Sequence, residues 1–176
     1  SARGFTVFQP NPTAAATARD NDGGGYDGAS MRWRWPVTGR LFRYHGPGCS
    51  CHSPFERMGG EPGVRTLVDR FYDLMDLEPA YAVLRGVHGT ELNSARDKLY
   101  WFLCGWLGGP DHYVQRFGHP RLRARHLPFA IGSTERDQWL ACMFQALREC
   151  EVEPALAERL EKSFFDTADW MRNRPG

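Results

Sequence analysis

The chain has 176 residues, enough for one domain with a well-packed core. Its 22 basic and 21 acidic residues give a formal net charge of +1, and dedicated nucleic-acid-binding proteins are usually more basic. No apolar run is long enough to cross a bilayer, and residues 1–12 lack the charged head and apolar centre of a secretory signal. We therefore expect a cytoplasmic protein without a membrane span or a nucleic-acid partner, whose five cysteines are reduced.

Residues 1–53 differ in composition from the rest of the chain. They contain an alanine triplet, a glycine triplet and several prolines but no helical period, so we expect an extension that is disordered or loosely packed. Basic and aromatic residues alternate from Arg32 to Trp35, a pattern able to contact nucleic acid or an anionic membrane. We favour an arm packed on the globular part, or non-native sequence upstream of a start at Met31, because the patch is short and matches no motif.

Cysteine and histidine residues cluster at the end of this extension. Cys49, Cys51 and His52 are suited by type to hold a metal ion. They lack a fourth ligand at regular spacing, which disfavours a zinc site.

From Pro54 onward the apolar residues recur at the spacing of helices, so we predict an all-α domain over residues 54–176. A first long helix carries the apolar residues of 64–75 and follows a glycine pair at 59–60 that frees the chain to turn. Pro79 opens a second, short helix. The third helix spans about residues 92–106 and ends at Gly-Gly-Pro.

The second half of this domain is less regular. Residues 110–120 read as a loop, followed by a single turn at about 122–126. Ser133 is the predicted N-cap of a further helix, and a last helix starts near Pro154. The prediction is about four substantial helices with irregular connections and no convincing strand pair.

His126 has an unusual setting for a lone histidine, which is ordinarily a surface or core residue. It ends a short arginine-rich turn that prolines flank at positions 120 and 128. Such a turn can aim one imidazole inward, and the arginines suit an anionic group. A haem needs an axial imidazole, apolar walls and cations for its propionates. No phosphate-binding loop, His-Glu-x-x-His motif or nucleophilic serine elbow is present to suggest other chemistry.

The stretch Gly-His-Pro-Arg-Leu-Arg-Ala-Arg-His-Leu-Pro-Phe at 118–129 closely resembles the proximal segment of group II truncated haemoglobins. Three further blocks, within 59–72, 92–110 and 135–143, resemble that family in the same order. The similarity extends over residues 54–172, roughly two-thirds of the chain. It implies a truncated globin, a sandwich of two helices crossed over two around one haem b.

The resemblance assigns roles around the iron. It implies that His126 is the axial ligand, its second ring nitrogen held by a hydrogen-bond acceptor such as a carbonyl in the preceding turn. Tyr72 and Trp139 match the family's distal hydrogen-bond donors, although each would also suit an ordinary core position. His88 corresponds to an aromatic or histidine near the bound ligand, or else lies at the loop surface. Ala95 leaves the sixth iron position open.

Further residues match positions around the haem itself. Leu99 and Phe102 would line its face, a role compatible with ordinary core packing. Lys98 and Arg125 match residues that contact the propionates, although a charge on a helix is usually only solvated. Tyr113 would cap the same edge of the haem.

These assignments predict a protein that binds dioxygen at a five-coordinate ferrous iron. Two charge-assisted hydrogen bonds to the ligand predict tight binding, which suits sensing, scavenging or redox chemistry as well as transport. The alternative is a nitric oxide dioxygenase or peroxidase-like enzyme, which would need a separate reductase because the chain has no flavin or nucleotide motif. A third hypothesis is a haem-free helical adaptor that meets its partner through the arginine-tryptophan arm.

Overall fold

The computed structural model describes residues 52–175 and, further upstream, the backbone of two short strands. The chain divides into two units, Ser1–Gly39 and Arg40–Gly176. In the first unit, strand β1 (Gly25–Tyr26) pairs antiparallel with β2 (Trp33–Arg34). This pair lies in the extension, outside the domain predicted to be all-α, and a ladder of two residues is too short to leave an alternating sequence pattern. The predicted disorder of the extension and the candidate ligands Cys49 and Cys51 fall outside the described residues.

The second unit is helical throughout its described part. Its elements are α1 (Pro54–Arg57), α2 (Gly60–Leu77), a 3-10 turn (Pro79–Tyr81), α3 (Ala82–Val87), α4 (Asn93–Trp106), α5 (His112–Phe117), α6 (Leu122–His126), α7 (Ser133–Glu149) and α8 (Pro154–Met171). Four of them are long, namely α2, α4, α7 and α8, as the apolar periodicity predicts.

The helix boundaries follow from local chemistry. The Ser53 hydroxyl accepts from the Glu56 N–H at 3.2 Å, and the Glu56 carboxylate accepts from the Ser53 N–H at 2.8 Å, which caps α1. Gly59 and Gly60 then take φ values of +91° and +67°, which confirms the predicted turn into α2. Gly108, at φ +93°, ends α4 as predicted.

Two local predictions are wrong. Residues 110–120 are not simply a loop, because they contain α5. Tyr113 of α5 is buried, with its ring 6.3 Å from that of Phe102, so tertiary packing stabilises a helix too short to form alone. The N-cap of α7 is Gly132 rather than Ser133, and the Glu135 carboxylate accepts from the Gly132 N–H at 2.8 Å.

The long helices pack as two pairs. Helix α2 packs against α4, α7 packs against α8, and contacts between α2 and α7 join the pairs. The core between them is apolar, and its largest fully buried side chains include those of Phe71, Leu67, Leu103, Met143 and Leu160. The short helix α6 packs against α8. The fold is thus the sandwich of two helices over two that the resemblance implies.

The sequence predicts reduced cysteines and no membrane-spanning segment. Cys104, Cys142 and Cys150 have free thiols, and the first two are buried. Within the described residues, no helix combines the length and the apolar character needed to span a membrane.

Candidate functional site

His126 is the last residue of α6, and its ring is held by the helix that carries it. Its Nδ1 lies 2.6 Å from the carbonyl oxygen of Leu122, one turn earlier. A carbonyl only accepts hydrogen bonds, so Nδ1 is the donor, and in the neutral form of the ring Nε2 keeps its lone pair. This is the tautomer of a metal-ligating imidazole, and the expected acceptor in the preceding turn is present.

The start of α6 is shaped by a second histidine. Arg121 takes a left-handed conformation with φ +43°, and its N–H donates to Nδ1 of His119 at 3.0 Å. His119 thus has a structural role, as does His112, whose Nε2 lies 2.5 Å from a carboxylate oxygen of Glu61. Of these three histidines, only His126 has a hydrogen bond that leaves the lone pair of Nε2 available.

Tyr72 lies buried on α2 among aromatic rings. Its ring centroid is 5.0 Å from that of Phe71 and 5.9 Å from that of His88, both in edge contacts. Burial raises the pKa of the Tyr72 phenol, and the guanidinium of Arg96, 5.7 Å from the ring centroid, opposes that shift. The phenol therefore stays protonated at neutral pH and is a hydrogen-bond donor.

His88 follows α3 and turns towards the same region. Its Nδ1 lies 3.0 Å from the Leu84 carbonyl oxygen, so Nδ1 is the donor and Nε2 of the neutral ring is an acceptor. Burial lowers the pKa of His88, and the charges of Arg85 and His126 lower it further.

Trp139 projects from α7 into this aromatic cluster. Its ring lies 5.4 Å from that of Phe71 and 5.6 Å from that of Phe164. The neighbouring Gln138 side chain accepts from the Leu84 N–H at 2.9 Å and so ties α7 to α3. The three predicted distal residues, from three different segments, are thus linked through direct or shared ring contacts.

The predicted wall residues lie on α4. Ala95, Leu99 and Phe102 are half-buried and pack against the core. The Phe102 ring is 6.5 Å from that of Trp106, which stacks on Phe164 at 4.9 Å. Since Phe164 also contacts Trp139, a chain of ring contacts links Phe102 of the wall to the distal residue Trp139.

The two candidate propionate contacts lie at the solvent side. Lys98 is exposed on α4, and Arg125 is exposed on α6. The Arg125 Nε donates to the Pro120 carbonyl at 2.9 Å, and its guanidinium lies 5.7 Å from the ring centroid of Tyr113. Arg125 and Tyr113 are therefore neighbours, and their contact with a haem stays a prediction.

The donor set and its surroundings fit a haem. His126 offers one imidazole nitrogen, and Leu127 and Phe129, which follow it, are 55% and 40% exposed, so an apolar surface adjoins the imidazole. Among residues 52–175, no group of three or more His, Cys, Asp or Glu side chains is placed to hold a metal ion. A haem would need only one imidazole from the protein; His88 and His126 share the same type of hydrogen bond at Nδ1, and the apolar surface beside His126 favours His126.

Sequence reasoning did not identify the residues that support the site. Arg96 lies over the Tyr72 ring, Gln138 joins two helices, and Asn173 contacts the segment after His126. Each is a polar residue without a motif, and only its tertiary contacts reveal its position.

A helical two-over-two fold that carries the imidazoles of His126 and His88, a buried phenol and an indole defines the class of the protein as a globin. The family model described as "Bacterial-like globin" matches residues 53–173. This match covers more than half of the chain, which therefore belongs to the bacterial-like globins.

Individual relatives narrow the group to the group II truncated haemoglobins. "Group 2 truncated hemoglobin YjbI" of Bacillus subtilis is 37% identical over 127 residues, covering 72% of this chain and 93% of that protein. The group II two-on-two haemoglobin of Agrobacterium tumefaciens has a TM-score of 0.70 and 38% identity, covering 73% of this chain and 99% of that one. A truncated oxygen-avid haemoglobin from Bacillus subtilis has a TM-score of 0.64 and 37% identity, covering 69% and 100%.

Proposed function

We propose that the protein binds haem b through Nε2 of His126 and binds dioxygen reversibly at the five-coordinate ferrous iron. The observation that carries the proposal is the hydrogen bond from His126 Nδ1 to the Leu122 carbonyl, which leaves Nε2 as a ligand. When bound, the haem supplies the iron at which a diatomic ligand binds.

In this proposal, the distal residues decide how long the ligand stays. Tyr72 and Trp139 donate hydrogen bonds to the ligand, and each charge-assisted bond contributes about 1.5–3 kcal/mol. His88, neutral at pH 7, is a third polar group near the ligand, and its ring packs edge-on against the Tyr72 ring and holds the phenol in place. The result is slow release of oxygen, and the description of the Bacillus subtilis relative as oxygen-avid supports this expectation.

The remaining site residues hold the haem. Leu99 and Phe102 line its face, and Lys98 and Arg125 pair with its propionates at the solvent edge. With its haem held in this way, the protein would serve in the cytoplasm in sensing, scavenging or transport of oxygen. Dioxygenation of nitric oxide or peroxidase-like turnover with a separate reductase stays the alternative hypothesis.

The proposal is tested by replacing the proposed axial ligand. His126→Gly should lose the iron–histidine stretching band of the ferrous haem protein in resonance Raman spectra, and added imidazole should restore a band. His112→Gln is the matched control, because His112 pairs with Glu61 rather than with the site, and it should keep the parental spectrum. An unchanged iron–histidine band in His126→Gly would show that another residue is the ligand.

A further inference from the structure

The chain returns to the segment after His126 once α8 has ended at Met171. The side-chain amide of Asn173 donates to the His126 carbonyl at 3.1 Å and to the Phe129 carbonyl at 2.8 Å. Its carbonyl oxygen accepts from the Ile131 N–H at 3.1 Å. Both polar atoms of this one carboxamide therefore bind residues of the segment 126–131.

Backbone hydrogen bonds reinforce the same connection. The N–H groups of Asn173 and Arg174 both donate to the Ile131 carbonyl, at 2.9 and 3.1 Å. The residues after α8 thus run beside the segment 126–131 and hold it from its first residue to its last.

Helix α6 has a second tie to the end of α8. The Arg123 guanidinium donates to the carbonyl oxygens of Trp170 and Arg172, the latter at 3.3 Å. These carbonyls belong to the C-terminal end of α8, where helical partners are lacking and a cation is favourable. The end of α8 therefore holds α6 through Arg123 and the following segment through Asn173.

This connection matters because α6 cannot fix its own orientation. It has five residues, and an isolated helix of that length is unstable in water. The ring of His126 is fixed relative to α6 by the Leu122 carbonyl, whereas its main chain is fixed relative to the core through Asn173. Rotation of that main chain would tilt the imidazole with it.

We infer that Asn173 is a positioning residue for the proximal histidine: its carboxamide clamps the segment 126–131 and so sets the direction of the His126 imidazole towards the iron. The inference rests on the proposed function, in which His126 is the axial ligand. Asn173 itself does not touch haem in this assignment and acts through the main chain.

The experiment compares Asn173→Asp and Asn173→Ala with the parent protein, each loaded with haem. The aspartate keeps the shape and an acceptor for the Ile131 N–H but loses both donors, and the alanine loses all three side-chain bonds. We expect the iron–histidine band of the ferrous protein to shift and broaden in both variants. We also expect haem to dissociate faster, by about tenfold for the loss of two hydrogen bonds.

Ser163→Ala is the control for a merely structural effect. It removes a buried hydrogen bond within α8, from the Ser163 hydroxyl to the Arg159 carbonyl at 2.9 Å, without touching α6. It should lower the melting temperature but leave the iron–histidine band unchanged. If Asn173→Ala does not fold, the nearly isosteric Asn173→Asp decides the question.

The two proposals fail in different ways. A parental band in Asn173→Asp, combined with loss of the band in His126→Gly, overturns the positioning role alone. A parental band in His126→Gly overturns the ligand assignment, and the positioning role with it. Faster haem loss without a change in the band also contradicts the inference, because it indicates general loosening of the fold.

Discussion

At the scale of single residues, Tyr72 shows how burial turns a common side chain into a specialised donor. The phenol lies in an apolar environment that raises its pKa, while Arg96 over its ring limits the rise. A protonated hydroxyl in such surroundings forms a stronger hydrogen bond to a partly negative ligand than it would in water. We therefore expect Tyr72 to control the lifetime of the oxygen complex.

The prediction for Tyr72→Phe is faster release of oxygen, by about tenfold to a hundredfold, because one charge-assisted hydrogen bond of ~1.5–3 kcal/mol is lost. Stopped-flow displacement of oxygen by carbon monoxide measures this rate. Tyr81→Phe is the matched control, since the Tyr81 hydroxyl donates to the Gln145 side chain at 2.5 Å. Equal dissociation rates in Tyr72→Phe and the parent would contradict the distal assignment.

At the scale of elements, the turn between α1 and α2 depends on a close approach of two backbones. A Cβ built on Gly63 would lie 1.7 Å from the carbonyl oxygen of Met58, which cannot move without displacing the turn. Gly63 lies only one position before Val64, where the buried stripe of α2 begins. This turn thus fixes where α2 starts and how Phe71 and Tyr72 enter the core.

We predict that Gly63→Ala destabilises the protein by about 1–3 kcal/mol through this overlap. Gly86→Ala in α3 is the matched control, because nothing lies within 4 Å of a Cβ added there. That control should be neutral or more stable by up to ~1 kcal/mol, since alanine favours helix. Urea unfolding of both variants at equal haem loading gives the comparison, and equal midpoints would show that the turn can adapt.

At the scale of the whole molecule, ion pairs join the long helices across their polar faces. Arg70 of α2 pairs with Glu149 of α7, and Arg136 of α7 pairs with Asp169 of α8. The hydrogen bonds from these arginines lower the pKa of Glu149 and that of Asp169. The charged carboxylates are thus favoured more in the folded protein than in the unfolded chain.

The sign of the resulting pH dependence follows from these lowered pKa values. The stabilisation is complete above the ordinary carboxyl pKa values of 4.5 and 3.8, and it is lost as the pH falls through the lowered values of the folded protein. We expect the melting temperature to fall less between pH 6 and pH 3 in Glu149→Gln than in the parent, because the variant lacks a carboxylate whose stabilising effect is lost over this range. Glu158→Gln, at an exposed position of α8, should keep the parental profile, and the prediction fails if both variants behave alike.

Much of the helical layout was predictable because its signals are local. Apolar spacing identified α2, α4, α7 and α8, and Gly108 and Pro154 marked helix ends that the structure confirms. The short turn ending at His126 was found from its flanking prolines and its basic residues. The family resemblance of the same segment then assigned the axial ligand, and that role stays a prediction.

The features that the sequence did not predict depend on tertiary contacts or are too short to leave a sequence pattern. Helix α5 forms because Tyr113 packs on Phe102, and the β1–β2 pair is too short to leave a pattern. The acceptor role of His88 Nε2 depends on the position of one carbonyl, which no residue type reveals.

The sequence by itself determined the all-α class and the long helices, because periodicity and caps are encoded within a few neighbouring positions, and the resemblance of one segment to a known family singled out the residue proposed to hold the iron. Only the tertiary structure decided what surrounds that residue. Asn173 lies 47 positions from His126 and belongs to no pattern, yet its hydrogen bonds hold the main chain that carries the imidazole. Contacts between distant polar groups arise when packed helices bring their ends together, so they appear only once the fold is known.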